Sequence, residues 1–116
     1  GFGVLGTARR SGRLASGTPI TTMELHPDQD WTGCLADKRA VVHVAARVHV
    51  MVEQASDPLA AFRLANTAAT LNLARQAAVA GVRRFVFVSS IKVNGEETHP
   101  GKSYRFNDVQ APLDPY

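Results

Sequence analysis

Short apolar runs alternate with polar segments along the chain, and this alternation predicts its elements. Apolar, β-branched stretches at residues 3–9, 20–25, 40–46 and 84–90 predict strands. Residues 11–19 are rich in Gly, Ser and Pro, which predicts a loop. The run at 40–46 is almost continuously apolar, a pattern typical of a parallel strand buried on both faces.

A segment rich in Ala and Leu at residues 59–80 predicts the main helix. Ser56 or Asp57 can cap its start, Pro58 suits its first position, and Gly81 suits its end. Apolar and small polar residues recur at spacings of three and four and predict one stripe facing the sheet. This stripe consists of Leu59, Phe62, Asn66, Thr70 and Leu73.

The order of strand, long helix and strand predicts a right-handed βαβ unit and hence a parallel sheet. The fold class that follows is α/β, a Rossmann-like doubly wound parallel sheet. In such sheets ligands bind beyond the carboxyl ends of the strands. Residues 94–116 predict a long surface loop, and loops of this length are usually functional.

Two polar features have both a structural and a functional interpretation. Asn66 places a carboxamide on the buried side of the helix, where it either binds neighbouring backbone or shapes a ligand site. Ser89 and Ser90 end the last strand, where they either satisfy free backbone groups or form part of an active site. His43 is expected to be a packed strand residue.

Composition narrows the class of protein. The chain has 116 residues, enough for one domain, and its net charge of +3 comes without the aromatic pattern of a nucleic-acid site. No apolar run is long enough for a bilayer, so no membrane span is expected, and with Cys34 as the only cysteine we expect a cytoplasmic protein. Cys34 is the only cysteine, and the polar residues His26, Asp28 and Asp30 are explained by a turn, so no metal site is expected.

Several stretches, taken in order, carry the pattern of a known family. VVHVAARVHV (41–50) resembles its hhHxAA motif, and ANTAATLNLARQAAVAGVRRFVFVSSIKVNG (65–95) resembles xNxxGTxNLLxAAxxxGVxxFVxxSSxxVYG. MEL (23–25) stands where the family has GDL, and DPY (114–116) matches the start of xPYxxSK. The chain thus resembles the extended short-chain dehydrogenases/reductases, the nucleotide-sugar epimerase/dehydratase group.

The resemblance implies roles for three hydroxyl groups. Tyr116 matches the catalytic tyrosine, a general acid/base that exchanges a proton with a sugar hydroxyl. Ser90 matches the catalytic Ser/Thr that holds the reacting oxygen, and Ser89 would lie beside the nicotinamide ribose. Lys92 lies in the substrate-facing loop, where it is expected to be solvated, the alternative being a contact with a diphosphate.

The resemblance also implies a set of cofactor-binding residues. Small residues after the third predicted strand would let the cofactor approach, and Asn66 would lie near the active site. Arg9 ends the first predicted strand, where a guanidinium suits the 2′-phosphate of NADP, so the cofactor is NAD or NADP. The predicted cofactor-binding positions are Arg9, Glu24, Leu25, Val44, Ala45, Ala46, Asn66 and Ser89.

By the resemblance, residues 1–116 are the central part of an NAD(P)-binding Rossmann domain. The family's first strand, its GxxGxxG turn and its substrate domain are absent, and so is the lysine four residues after the tyrosine. The implied function is an NAD(P)-dependent epimerase or 4-keto reductase of UDP-sugars, a homodimer when full length and inactive as this piece alone. The alternative is a non-catalytic, Rossmann-like regulatory module that senses a dinucleotide.

Overall fold

The computed structural model describes residues 3–48 and 55–116 of the chain. Its strands are β1 (Gly6–Ala8), β2 (Gly12–Arg13), β3 (Pro19–Thr22), β4 (Ala40–His43) and β5 (Arg84–Phe87). Its helices are α1 (Thr32–Leu35), α2 (Pro58–Phe62) and α3 (Ala69–Val79), with a π-helical turn at Arg63–Ala68 and a 3₁₀ turn at Ile91–Asn94.

The predicted βαβ unit is present. Strands β4 and β5 pair in parallel, with Ala40 opposite Arg84 and His43 opposite Phe87. The helical segment from α2 to α3 lies between them in the chain, as the apolar pattern predicts. The carboxyl ends of both strands therefore lie at the same edge, the one at which a doubly wound sheet binds ligands.

The first part of the chain forms a second, mixed sheet. Strand β1 pairs in parallel with β3, and β2 pairs with β3 in antiparallel fashion. The prediction that residues 11–19 are only loop is wrong, because Gly12 and Arg13 form β2. Gly17 adopts a φ of 84°, which turns the chain back so that β2 can pair with β3. The Arg13 guanidinium donates to the Gly17 carbonyl at 2.7 Å and holds this turn.

The expected doubly wound sheet is therefore present in part. The described residues form an α/β structure with parallel strand pairs, but no hydrogen-bonded ladder joins the sheet of β1, β2 and β3 to that of β4 and β5. The absence of a first strand, which the family resemblance implies, stays a prediction.

Both ends of the long helical segment follow the sequence signals. The Asp57 carboxylate accepts from the Ala60 amide at 2.9 Å, and Pro58 occupies the first turn. At the other end Gly81 has a φ of 76°, and the Val82 amide donates to the Ala77 carbonyl. These contacts form a Schellman motif, which a glycine in the left-handed region makes possible.

The core lies between the helices and the sheet of β4 and β5. Trp31, Leu35, Leu73 and Ala77 are buried together, with partly buried residues such as Val41 against them. The predicted stripe is wrong at one end, since Leu59 is 42% exposed. The wider π-helical turn after α2 shifts the register of the first helical turn, so α-helical spacing does not extend across it.

A polar network ties the segment before α1 to α3. The Gln76 side-chain oxygen accepts from the Trp31 amide at 2.7 Å, and its nitrogen donates to the Gln29 carbonyl at 2.8 Å. Asn72 donates to the same Gln29 carbonyl. The side chains of α3 thereby satisfy backbone groups of a loop that would otherwise be buried without partners.

Candidate functional site

A cavity of about 260 Å³ lies beyond the carboxyl ends of β4 and β5. Residues that follow β4 form one side, the end of β5 forms another, and the C-terminal loop closes the third. Both predicted catalytic residues and four of the predicted cofactor-binding residues line it. They are Ser90, Tyr116, Ala45, Ala46, Asn66 and Ser89.

Ser90 lies between strand β5 and the 3₁₀ turn. Its backbone is extended, with φ −124° and ψ 150°, and its hydroxyl oxygen accepts from the Lys92 amide at 3.3 Å. Ser90 therefore satisfies a backbone amide at the end of the strand, which was one of the two interpretations of this serine. It uses a lone pair and leaves the O–H donor for another partner in the cavity.

Tyr116 lies against the start of the long helical segment. Its ring meets that of Phe62 edge to face, with the centroids 6.4 Å apart and the planes at 60°. Its amide donates to the Asp114 carboxylate at 2.8 Å. Ring packing from the helix and a backbone hydrogen bond from its own loop thus both hold Tyr116 at the cavity.

Lys92 is not the solvated lysine that the sequence suggests. Its ammonium lies 2.6 Å from one Asp114 carboxylate oxygen and 3.1 Å from a Glu96 carboxylate oxygen. The hydrogen bonds to Asp114 and then to Glu96 raise the pKa of Lys92 above its usual value. The Ala111 amide also donates to the Val93 carbonyl at 2.9 Å, so the C-terminal loop is anchored to the 3₁₀ turn beside this ion pair.

Asn66 satisfies backbone groups with both ends of its carboxamide. Its oxygen accepts from the Arg47 amide at 2.7 Å, and its nitrogen donates to the Arg47 carbonyl at 2.9 Å. The Arg47 guanidinium lies 5.3 Å from the centroid of the Phe62 ring. Asn66 thereby fixes the segment that follows Ala45 and Ala46. These contacts are the binding to neighbouring backbone that was one of the two interpretations of this residue.

Four predicted cofactor-binding residues lie outside the cavity lining. Arg9 follows β1, and Glu24 and Leu25 follow β3, whose residue Thr22 is opposite Ala8 in the parallel ladder. Arg9 and Glu24 are exposed, and these positions share the carboxyl edge of the other sheet. Val44 is 70% exposed, because side chains alternate along a strand and its neighbour His43 points to the core.

His43 is the packed strand residue that the sequence predicts. Its side chain is 4% exposed, and its Nε2 atom lies 2.9 Å from the Thr70 hydroxyl. The rings of Phe85 and Phe87 lie about 6 Å from it, at 6.1 and 5.9 Å between centroids. This burial lowers the pKa of His43 below its usual value. Its neighbour in the family motif, His49, lies outside the described residues.

Sequence reasoning did not identify the roles of Thr70, Phe62 and Asp114 at this site. Thr70 belongs to the same predicted stripe as Asn66, so the stripe could have placed it at the cavity. Asp114 gave no such signal, because its partner Lys92 lies on the other side of a long loop.

Two other features are absent from the residues that the structure describes. These residues contain no group of three or more His, Cys, Asp or Glu side chains that could bind a metal ion. Asp30 instead caps its own turn, where the Thr32 hydroxyl and amide lower the pKa of its carboxyl group. None of the helices in the described ranges has the length and apolar character needed to cross a membrane.

Comparison with known proteins identifies a family and a relative for the chain. It matches the model of the NAD dependent epimerase/dehydratase family over residues 1–116. It is 46% identical over 93 residues to a UDP-glucose 4-epimerase of Vibrio cholerae, an alignment that covers 80% of this chain and 28% of that protein. The chain thus spans little more than a quarter of the length of this curated relative, and no solved structure matches it significantly. Since the family match covers every residue, the chain belongs to the NAD dependent epimerase/dehydratase family.

Proposed function

We propose that the protein carrying this chain is an NAD(P)-dependent epimerase or 4-keto reductase of UDP-sugars. The observation that supports this most directly is that Ser90 and Tyr116, far apart in sequence, line one cavity at the carboxyl ends of β4 and β5. A second support is the similarity to a UDP-glucose 4-epimerase.

The residues present at the cavity fit a nicotinamide cofactor. Ala45 and Ala46 offer no side chain beyond Cβ, so a ribose or phosphate can approach the backbone there. The Ser89 hydroxyl would bind the ribose beside the nicotinamide. Arg9, exposed at the end of β1, would bind a 2′-phosphate, which is the feature that favours NADP over NAD.

The protein's own residues would handle the proton and orient the sugar. The cofactor, when bound, accepts or returns a hydride. Tyr116 would take the proton from the sugar hydroxyl or return it, and the Ser90 hydroxyl would hold the same oxygen by a hydrogen bond. Asn66 would act at a distance, because it fixes the backbone of the segment after Ala45 and Ala46.

The test is turnover by the complete gene product. UDP-glucose, UDP-GlcNAc and a UDP-4-keto-sugar are each incubated with NAD or NADP, and products are followed by NMR and by nicotinamide absorbance. We expect turnover of at least one of these, and a loss of about 10²-fold or more in kcat for Tyr116→Phe and Ser90→Ala. Cofactor binding without any turnover would reject the proposal and favour the dinucleotide-sensing module instead.

We further propose that two copies of the protein associate through the outer face of α2 and the turns that follow it. Leu59, Leu64 and Leu71 are each almost half exposed on this face and line one shallow groove. The charged residues of the groove are Asp57 and Arg63, whose charges cancel. Two copies related by a two-fold axis would therefore bury leucines without charge repulsion.

A further inference from the structure

A cluster of three charged side chains lies beside the cavity. The Lys92 ammonium is within hydrogen-bond distance of the Asp114 and Glu96 carboxylates, at 2.6 and 3.1 Å. The cluster is partly shielded from solvent, since the side chains of Lys92 and Asp114 are 26% and 34% exposed. Lys92 and Asp114 also line the cavity.

The two oxygens of the Asp114 carboxylate have different partners. Oδ2 is bound by the Lys92 ammonium, and Oδ1 accepts from the Tyr116 amide at 2.8 Å. The ion pair at one oxygen thus fixes the orientation of the carboxylate, and the other oxygen fixes the backbone that carries the Tyr116 phenol. At the other end, the Lys92 amide donates to the Ser90 hydroxyl oxygen. The contacts therefore run without interruption from Ser90 to Tyr116.

We infer that Lys92 and Asp114 form a clasp that positions Tyr116 against Ser90, so that both are positioning residues for the reaction. This inference rests on the function proposed above and deepens it. The clasp is the link between a loop, which is mobile by default, and the end of a strand, which is rigid. A general acid displaced by about 1 Å can lose on the order of 10²-fold in rate, so such a link is expected to affect turnover.

A different role for Lys92, as a ligand of the substrate diphosphate, is less compatible with these contacts. Two carboxylates already surround its ammonium, and an incoming diphosphate would bring further negative charge against them. Lys92 would have to leave both carboxylates to bind it. The two roles predict different kinetics, because loss of a diphosphate ligand raises KM, whereas loss of positioning lowers kcat.

The experiment uses substitutions in the complete gene product that separate the contacts of the clasp. Lys92→Met removes the charge but keeps most of the stem, and Asp114→Asn removes the charge but keeps an oxygen for the Tyr116 amide. Lys92→Arg preserves the ion pair, and Lys102→Met is the matched control, an exposed lysine in the loop that carries Asp114. For each variant kcat, KM and the cofactor Kd are measured, together with hydrogen exchange of the Tyr116 amide.

We expect Lys92→Met and Asp114→Asn each to lower kcat about tenfold, with KM and the cofactor Kd within about twofold of the wild type. The double variant should be no worse than either single variant, since both remove the same contact. Lys92→Arg should restore most of the rate, and Lys102→Met should match the wild type. A rise in KM with unchanged kcat for Lys92→Met would overturn the clasp in favour of a diphosphate ligand.

Hydrogen exchange separates failure of the clasp from failure of the proposed function. If the wild type turns over no nucleotide sugar, the proposed function is rejected, but exchange at the Tyr116 amide still tests the contact. The clasp predicts faster exchange in Lys92→Met than in the wild type, Lys92→Arg or Lys102→Met. Equal exchange in all four proteins would overturn it whatever the activity.

Discussion

At the scale of single residues, His43 couples the stability of the sheet to pH. It is buried beside two aromatic rings, and this burial lowers its pKa in the folded state. In the unfolded chain its pKa is about 6.5. The unfolded state therefore binds the proton more readily, so stability is full above about pH 6.5 and falls as the pH drops below it, levelling off below the folded-state pKa.

We predict that this slope is weaker in His43→Asn, which cannot be protonated. The free energy of unfolding in urea is measured at intervals from pH 7.5 to pH 5. The control is His99→Asn, which replaces an exposed histidine outside the sheet. A wild-type slope in His43→Asn would show that another group is responsible.

Individual side chains show which contacts could be predicted from the sequence at the scale of single residues. The pattern predicts a buried carboxamide at Asn66, and it is found on the inner side of the helix, but the partner, Arg47, lies in a segment that no periodicity addresses. The positions of Ser90 and Tyr116 came from a resemblance, not from spacing. Lys92 was expected to be solvated, but it pairs with Asp114. This pairing could not be predicted, because an ion pair across a long loop depends on how the loop folds back.

At the scale of elements, the residue that follows the end of α3 has a left-handed backbone conformation. This conformation lowers the free energy of unfolding for any residue but glycine. Gly81 has a φ of 76°, and an added Cβ would meet no atom within 4 Å. We predict that Gly81→Ala lowers the free energy of unfolding by about 1 kcal/mol, from backbone strain alone. Urea unfolding followed by circular dichroism measures this loss.

Gly33→Ala is the matched control for that substitution. Gly33 lies within α1, has no atom within 4 Å of the added Cβ, and does not require a positive φ. Alanine should be neutral there or stabilise by up to about 1 kcal/mol, because it reduces the freedom of the unfolded chain. Equal effects at the two glycines would contradict the role of φ.

The elements themselves were predictable where a local signal fixes them. Asp57, Pro58 and Gly81 mark the ends of the long helical segment because each satisfies a local backbone requirement. Strand β2 was missed because its residues, Gly12 and Arg13, have loop composition and pair only through the turn at Gly17. The π-helical turn was missed because it changes no residue type and only shifts the register.

At the scale of the whole molecule, the parallel pair β4 and β5 is apolar on both faces. One face packs on the helices through Val41 and His43, and the other exposes Val42, Val86 and Val88. The near-continuous apolar run predicted burial on both faces, and the described residues provide it on one. The apolar pattern of a strand thus indicates the environment that suits both of its faces, and it does not show which residues cover each face.

The proposed association of two copies gives a prediction at the same scale. Leu71→Glu places a carboxylate in the groove on each copy, where the two would repel and lose the burial of a leucine. We expect the complete gene product to sediment as a dimer and Leu71→Glu to shift it to a monomer with an unchanged circular dichroism spectrum. Val79→Glu, at a 90% exposed position of the same helix outside the groove, is the control. A dimer that persists in Leu71→Glu would place the interface elsewhere.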